Sequence, residues 1–93
     1  MCNQNQFDFY TVEAYASRVG DLVRAGIPRA SCHQRKTGKY RVYGHKTFPI
    51  KRWEAVIGYA DVCADNCREQ LAELESKHRG DGVRIHTRYH AMD

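Results

Sequence analysis

The chain has 93 residues, with 15 Lys and Arg against 11 Asp and Glu, a size that supports one hydrophobic core and argues against a second domain, so residues 1–93 are expected to form a single α+β domain. No apolar run approaches the roughly 20 residues that a membrane-spanning helix needs, and residues 1–10 lack the basic-then-apolar order of a secretory signal; the expected setting is the cytoplasm. In that reducing compartment the four cysteines, Cys2, Cys32, Cys63 and Cys67, are expected as thiols.

Residues 1–6 are polar, and Phe7, Phe9 and Tyr10 supply the first apolar anchors, offering the start of a short strand. From Thr11 the apolar positions Val12, Tyr15, Val19, Leu22 and Val23 recur at helical spacing, predicting a first helix over Thr11–Ala25 with Thr11 as N-cap and Glu13 favouring the helix dipole. Gly26 suits the left-handed conformation that closes a helix, and Pro28 prevents its resumption. Next come two β-compatible runs, Ser31–Gln34 and Lys39–Tyr43, predicted as a basic hairpin turning over Arg35-Lys36-Thr37-Gly38.

Pro49 then opens a pattern of Ile50, Trp53, Ile57, Ala60, Ala64, Cys67, Leu71 and Leu74, whose alternating spacing of three and four predicts a second helix ending near His78–Gly80. Thirty residues of helix would be about 45 Å long, so it would project, kink or pair with a second copy of the chain. Within it Cys63 and Cys67 share a side as small apolar residues; zinc ligation with Cys32, His33 or His78 is the alternative, against which the mid-helix spacing speaks. Asp61 and Asp65 would lie on a wet helix surface, and Trp53 is either a core residue or an interface anchor. Finally Val83, Ile85, Thr87 and Tyr89 alternate with Arg84, His86, Arg88 and His90, predicting a strand with one apolar and one basic side. The expected class is α+β: a small antiparallel sheet, made of the basic hairpin and the C-terminal strand, packed with two helices, the second one long.

Charge is unevenly distributed. Residues Arg29 to Trp53 hold eight basic side chains and no acid, while the remainder holds seven basic and eleven acidic ones. That asymmetry points to a localised acidic partner, with Arg29, Arg35, Lys36, Lys39, Arg41, Lys46, Arg84 and Arg88 as the candidate partner-binding residues. Tyr40, Tyr43 or Tyr89 would stack on bases if the partner carries nucleic acid; a solvated charged face is the plain alternative. Zinc-finger spacing, an RNA-recognition signature and a helix-turn-helix pattern are all missing from the sequence. Catalysis finds little footing: Cys32 and His33 are sequence neighbours that would point to opposite faces of a strand, and there is no phosphate-cradling glycine loop. A binding protein without catalytic residues, metal or cofactor is expected.

In its short length, its lack of targeting or catalytic signatures and its α+β pattern, the chain resembles the phage-encoded anti-CRISPR proteins. The resemblance is one of class, carried by no aligned motif. It implies an inhibitor that occupies a functional surface of a nucleic-acid-guided ribonucleoprotein complex and blocks nucleic-acid engagement, here through Arg35, Lys36, Lys39, Arg41, Arg84 and Arg88. The alternatives are a regulatory protein that binds DNA or RNA directly, dimeric through the long helix, and a helix-mediated oligomerisation partner with Leu71 and Leu74 at its interface.

Overall fold

A computed structural model describes residues 8–91; Phe7 and the polar stretch before it lie outside these. The elements follow as β1 (Phe9–Ala16), α1 (Val19–Arg24), a 3-10 turn (Arg29–Ser31), β2 (His33–Tyr43), β3 (Lys46–Asp61), α2 (Cys67–Lys77) and β4 (Arg84–His90). The strands form one antiparallel sheet in the order β2-β3-β1-β4. Each helix therefore links two strands that are separated by a third, the split β-α-β arrangement used twice. The α+β class stands, and among the described residues no helix is long and apolar enough to cross a membrane.

The first predicted helix is corrected over most of its length. Residues Phe9–Ala16 are a central strand, paired with β3 on one side and β4 on the other. Val12, Ala14 and Ala16 are buried on the face that packs with Leu22, while Thr11 and Tyr15 are buried on the opposite face through hydrogen bonds and covering side chains. A strand engaged on both faces loses its clean polar alternation, so its apolar residues merged with those of α1 into an apparent helical period. Thr11 is a strand residue, not an N-cap. The helix closure is as expected: α1 stops at Arg24, Gly26 has φ 90° and Pro28 follows.

The long second helix is corrected to a 16-residue strand and an 11-residue helix. Trp53 and Ala55 face the helices, opposite Ala16 and Ala14, and the β1–β3 register then slips between Val12 and Glu13. Ile57 is the extra residue at this bulge, since Val56 opposes Glu13 and Gly58 opposes Val12. The bulge turned a two-residue period into the observed step from Trp53 to Ile57 to Ala60. Gly58 is there because α2 crosses it: a β-carbon would come within 2.5 Å of Leu74 Cδ2. Leu74 thus packs on its own sheet, and the continuous seam that would have joined two copies does not form. Asp61 ends β3, Oδ1 accepting from the Cys63 amide at 2.9 Å, so Asp61 and Asp65 share no helix. Cys63 lies in the loop before α2 and is disulfide-bonded, a correction to the expectation of thiols throughout, whereas Cys32 and Cys67 are free.

The predicted hairpin turn is also displaced. β2 runs straight through residues 35–38, where Gly38 at φ 84° accommodates an irregularity between Lys36 and Tyr40 that Thr37 ties down by donating to the Ile50 carbonyl at 3.0 Å. The chain reverses instead at Gly44-His45, a two-residue turn between the paired Tyr43 and Lys46, with Gly44 at φ 61°. Gly38 carried a genuine left-handed signal, but it marks a bulge.

Both helices cover the same sheet face. Leu22 and Ile27 pack with Ala14, Ala16, Cys32 and Ala55, and Trp53, Ile57, Val83 and Ile85 close around them. His78 at the end of α2 contacts the Ala25 carbonyl at 2.8 Å, tying the ends of the two helices together. β1 pairs with β3 only from Trp53 onward, so the ribbon of residues 35–52 extends past the sheet and gives the molecule extents of 57 × 30 × 19 Å.

Candidate nucleic-acid interface

The two-stranded arm follows from the register. Across it stand Arg35 and Arg52, Lys36 and Lys51, Tyr40 and Pro49, Arg41 and Phe48, Val42 and Thr47, and Tyr43 and Lys46. Side chains directly opposite share a face, so Arg35, Arg41, Tyr43, Lys46, Phe48 and Arg52 form one surface and Lys36, Tyr40, Val42, Thr47 and Lys51 the other. Tyr40, Val42, Tyr43 and Phe48 are exposed. Tyr43 meets Phe48 edge-on at 6.0 Å, and Arg41 Nη1 lies 3.4 Å from the Tyr43 hydroxyl.

Like charges directly opposite one another weaken a ribbon, and the arm has two such pairs. Glu54 at its base answers one, approaching Arg35 Nε at 2.9 Å and Arg52 Nε at 3.6 Å. Lys36 and Lys51 have no salt-bridge partner among the described residues, nor do Lys39, Arg41 and Lys46. A two-stranded ribbon with neither face covered is marginal in water by itself, and this one also carries uncompensated charge.

Among the described residues the sheet face away from the helices is open. Along its centre β1 presents Phe9, Thr11, Glu13 and Tyr15, flanked by Arg84, His86, Arg88 and His90 of β4 and by Arg52, Glu54, Val56 and Tyr59 of β3. Glu13 organises this face: Oε1 accepts from Tyr15 Oη at 2.6 Å, Oε2 accepts from Thr11 Oγ1 at 3.2 Å, and Arg88 Nε approaches Oε2 at 3.3 Å. Burial by itself would raise the Glu13 carboxyl, but the Tyr15 hydrogen bond, Arg88, the Thr11 hydrogen bond and His86 outweigh it, leaving its pKa below the ordinary 4.5. Burial, then the hydrogen bond to Glu13, raises Tyr15 above 10.0. Arg52 lies over the Tyr15 ring at 4.3 Å. Beside Tyr15 a shallow cavity of about 490 Å³ opens between Arg52, Arg84, His86 and Arg88.

The candidate residues divide accordingly. Arg35, Arg41 and Lys46 of the arm share the open face with Arg84 and Arg88, but β2 and β4 are the two opposite edges of the sheet, with β3 and β1 between them. Lys36 lies on the other face of the arm, and Lys39 sits within the irregular stretch of β2. Arg29 is apart from both groups, in the 3-10 turn, its guanidinium 4.7 Å from the Trp53 ring on the helix side. Tyr89 lies on the helix side too, donating to Asp8 at 2.5 Å, while His86 and His90 share the open face as expected. Sequence reasoning missed Arg52, Lys51, Glu13, Tyr15 and Tyr59 as parts of this surface. Arg52 and Lys51 end the acid-free run that Glu54 closes, and that boundary was the signal available. Among the described residues no three His, Cys, Asp or Glu side chains converge as metal ligands. In comparisons with known proteins the chain matches no family model, and no curated protein or solved structure matches it.

Proposed function

We propose that the protein is a non-enzymatic inhibitor that acts in the host-cell cytoplasm by docking its basic arm on the exposed RNA of a guided, CRISPR-Cas-like ribonucleoprotein complex, blocking its engagement of target nucleic acid. The observation that carries this reading is the Lys36–Lys51 cross-strand pair on an acid-free ribbon that extends past the sheet. Such a pair costs the free protein stability and becomes favourable when polyanionic charge lies against it. Arg35, Lys36, Lys39, Arg41 and Lys46 supply the charge, and Tyr40, Tyr43 and Phe48 supply exposed rings that bury against the partner. The test is phage plaquing on strains carrying each type of guided defence, with the protein expressed in trans. Wild-type protein should restore plaques of a targeted phage on at least one strain, and the variant carrying Arg35→Glu, Lys36→Glu, Lys39→Glu and Arg41→Glu should not. Restoration by that variant, or none by wild type on any strain, overturns the reading.

A second reading, direct binding of duplex DNA or RNA by a regulatory protein, is favoured by the shape of the arm, since a two-stranded ribbon fits the major groove of DNA. With about five phosphate contacts, affinity for duplex DNA should fall roughly five hundredfold between about 50 and 200 mM salt. A flat salt profile would contradict it.

A further inference from the structure

The open sheet face continues from the base of the arm, where Arg35 and Arg52 stand, and its carboxylates lie beneath its arginines. The Glu13 and Glu54 side chains are 14% and 16% exposed, whereas Arg88, Arg52 and Arg35, which they hold, are 51%, 45% and 71% exposed. Each arginine makes its closest approach through Nε, and a guanidinium carries further N–H donors on its two Nη groups. A ligand approaching this face meets guanidinium groups already held in place, so little side-chain entropy remains to be lost on binding. Arg84, beside them, has no salt-bridge partner among the described residues.

The row above β1 changes character along its length. At the Tyr15 end the cavity is walled by Arg52, Arg84, His86 and Arg88. At the Phe9 end rings gather beside Asp61, which stands opposite Phe9: Phe9 stacks on His90 with centroids 4.7 Å apart and planes 12° from parallel, and tilts against Tyr59 at 6.3 Å. Tyr59 is 66% exposed and Val56 beside it is also exposed, an apolar patch on central strands that neither α1 nor α2 covers. The row from Phe9 to Tyr15 spans about 20 Å at the rise of a strand. Cationic hydrogen-bond donors at one end and an exposed aromatic platform at the other match a ligand that alternates phosphates with flat bases, and the bases must be free of a complementary strand to reach the rings.

We infer that a single strand of nucleic acid lies along β1 on the open face, with backbone phosphate over Arg52, Arg84 and Arg88 and a base on Tyr59. This shares with the proposed function the class of partner, nucleic acid, and meets the arm at Arg52, while Tyr59, Arg84 and Arg88 lie outside the arm. The test is fluorescence anisotropy of labelled ten-residue oligo(U) and oligo(dT), with a blunt DNA duplex as comparison. Wild type should bind one or both single strands more tightly than the duplex. Tyr59→Ala should weaken that binding about tenfold or more, Tyr59→Phe should retain it because the ring remains, and Arg84→Glu should weaken it by a similar factor. Lys46→Glu, at the far end of the arm and about 20 Å along β3 from Arg52, should change it less than about threefold at about 150 mM salt, since exposed charges beyond a Debye length are screened. No single-strand binding at low salt, preference for the duplex, or unchanged binding by Tyr59→Ala would overturn the inference. The arm variants are judged in the plaque assay and the β1 variants on short oligomers, so either reading can fail alone.

Discussion

Arg88 of the edge strand reaches diagonally to Glu13 of the central strand, Nε to Oε2 at 3.3 Å, while Tyr15 holds the other carboxylate oxygen at 2.6 Å. The pair fixes an arginine of a sheet edge over the middle of the open face, and it makes the folded protein sensitive to acid. The folded-state pKa of Glu13 is lowered below 4.5, so the stability it contributes is complete above that unfolded value and is lost as pH falls through the folded one. Thermal melts between about pH 6 and pH 2 should show a steeper acid decline for wild type than for Glu13→Gln. Tyr15→Phe, which removes a hydrogen bond that lowers Glu13, should leave the onset of that decline in place but make it smaller and complete it at higher pH. Parallel acid limbs for all three proteins would contradict the assignment.

The crossing of α2 over β3 depends on Gly58. An alanine there would place its β-carbon 2.5 Å from Leu74 Cδ2 and 3.1 Å from Leu74 Cγ, so Gly58→Ala should destabilise by about 1–3 kcal/mol through overpacking. Leu74→Ala makes the room that Gly58→Ala needs, and in urea unfolding the double variant should lose clearly less than the sum of the single losses. Additive losses would mean the two residues are not in contact.

Lys51→Glu separates stability from binding. Opposite Lys36 it replaces a like-charge pair with an attractive one, which should stabilise the arm by about 0.2–1 kcal/mol while weakening inhibition. Stability and binding moving in the same direction would argue that the pair serves the fold rather than a partner.

Gly44 at φ 61° has nothing within 4 Å of the position a β-carbon would take, so the cost of Gly44→Ala is one of backbone conformation alone, about 1–2 kcal/mol. Because the arm shares few contacts with the core, that cost should appear as faster amide hydrogen exchange in residues 40–50 with little change in the global melting temperature. Equal acceleration across β1 and β4 would show that the arm and the sheet unfold together.

The sequence made the class and the charge legible, but not the division into strands and helices. β4 was plain because one face is wet and the other is not, and the closure at Gly26 and Pro28 was plain because both residues act locally. β1 was hidden by burial on both faces, with Thr11 and Tyr15 hydrogen-bonded to Glu13 along the strand and Thr11 and Glu13 also held by His90 and Arg88 of β4. β3 was hidden by the bulge at Ile57, which shifted its period toward that of a helix. The acid-free run from Arg29 to Trp53 was visible as composition, yet its form as a ribbon required knowing that the chain turns at Gly44-His45 and not at Gly38. Glu13 and Tyr15 were assigned to a helix, so their place beneath the arginines was out of reach.

The most direct measurement is target-DNA binding by purified guided ribonucleoprotein complexes, followed by gel shift as this protein is titrated in, wild type against the variant with Arg35, Lys36, Lys39 and Arg41 all changed to Glu. The expected result is that wild type displaces or excludes target DNA from a complex at near-stoichiometric concentration while the folded variant leaves it bound. Equal inhibition by the variant, or undisturbed target binding by every complex type at excess wild-type protein, would contradict the role given to the arm.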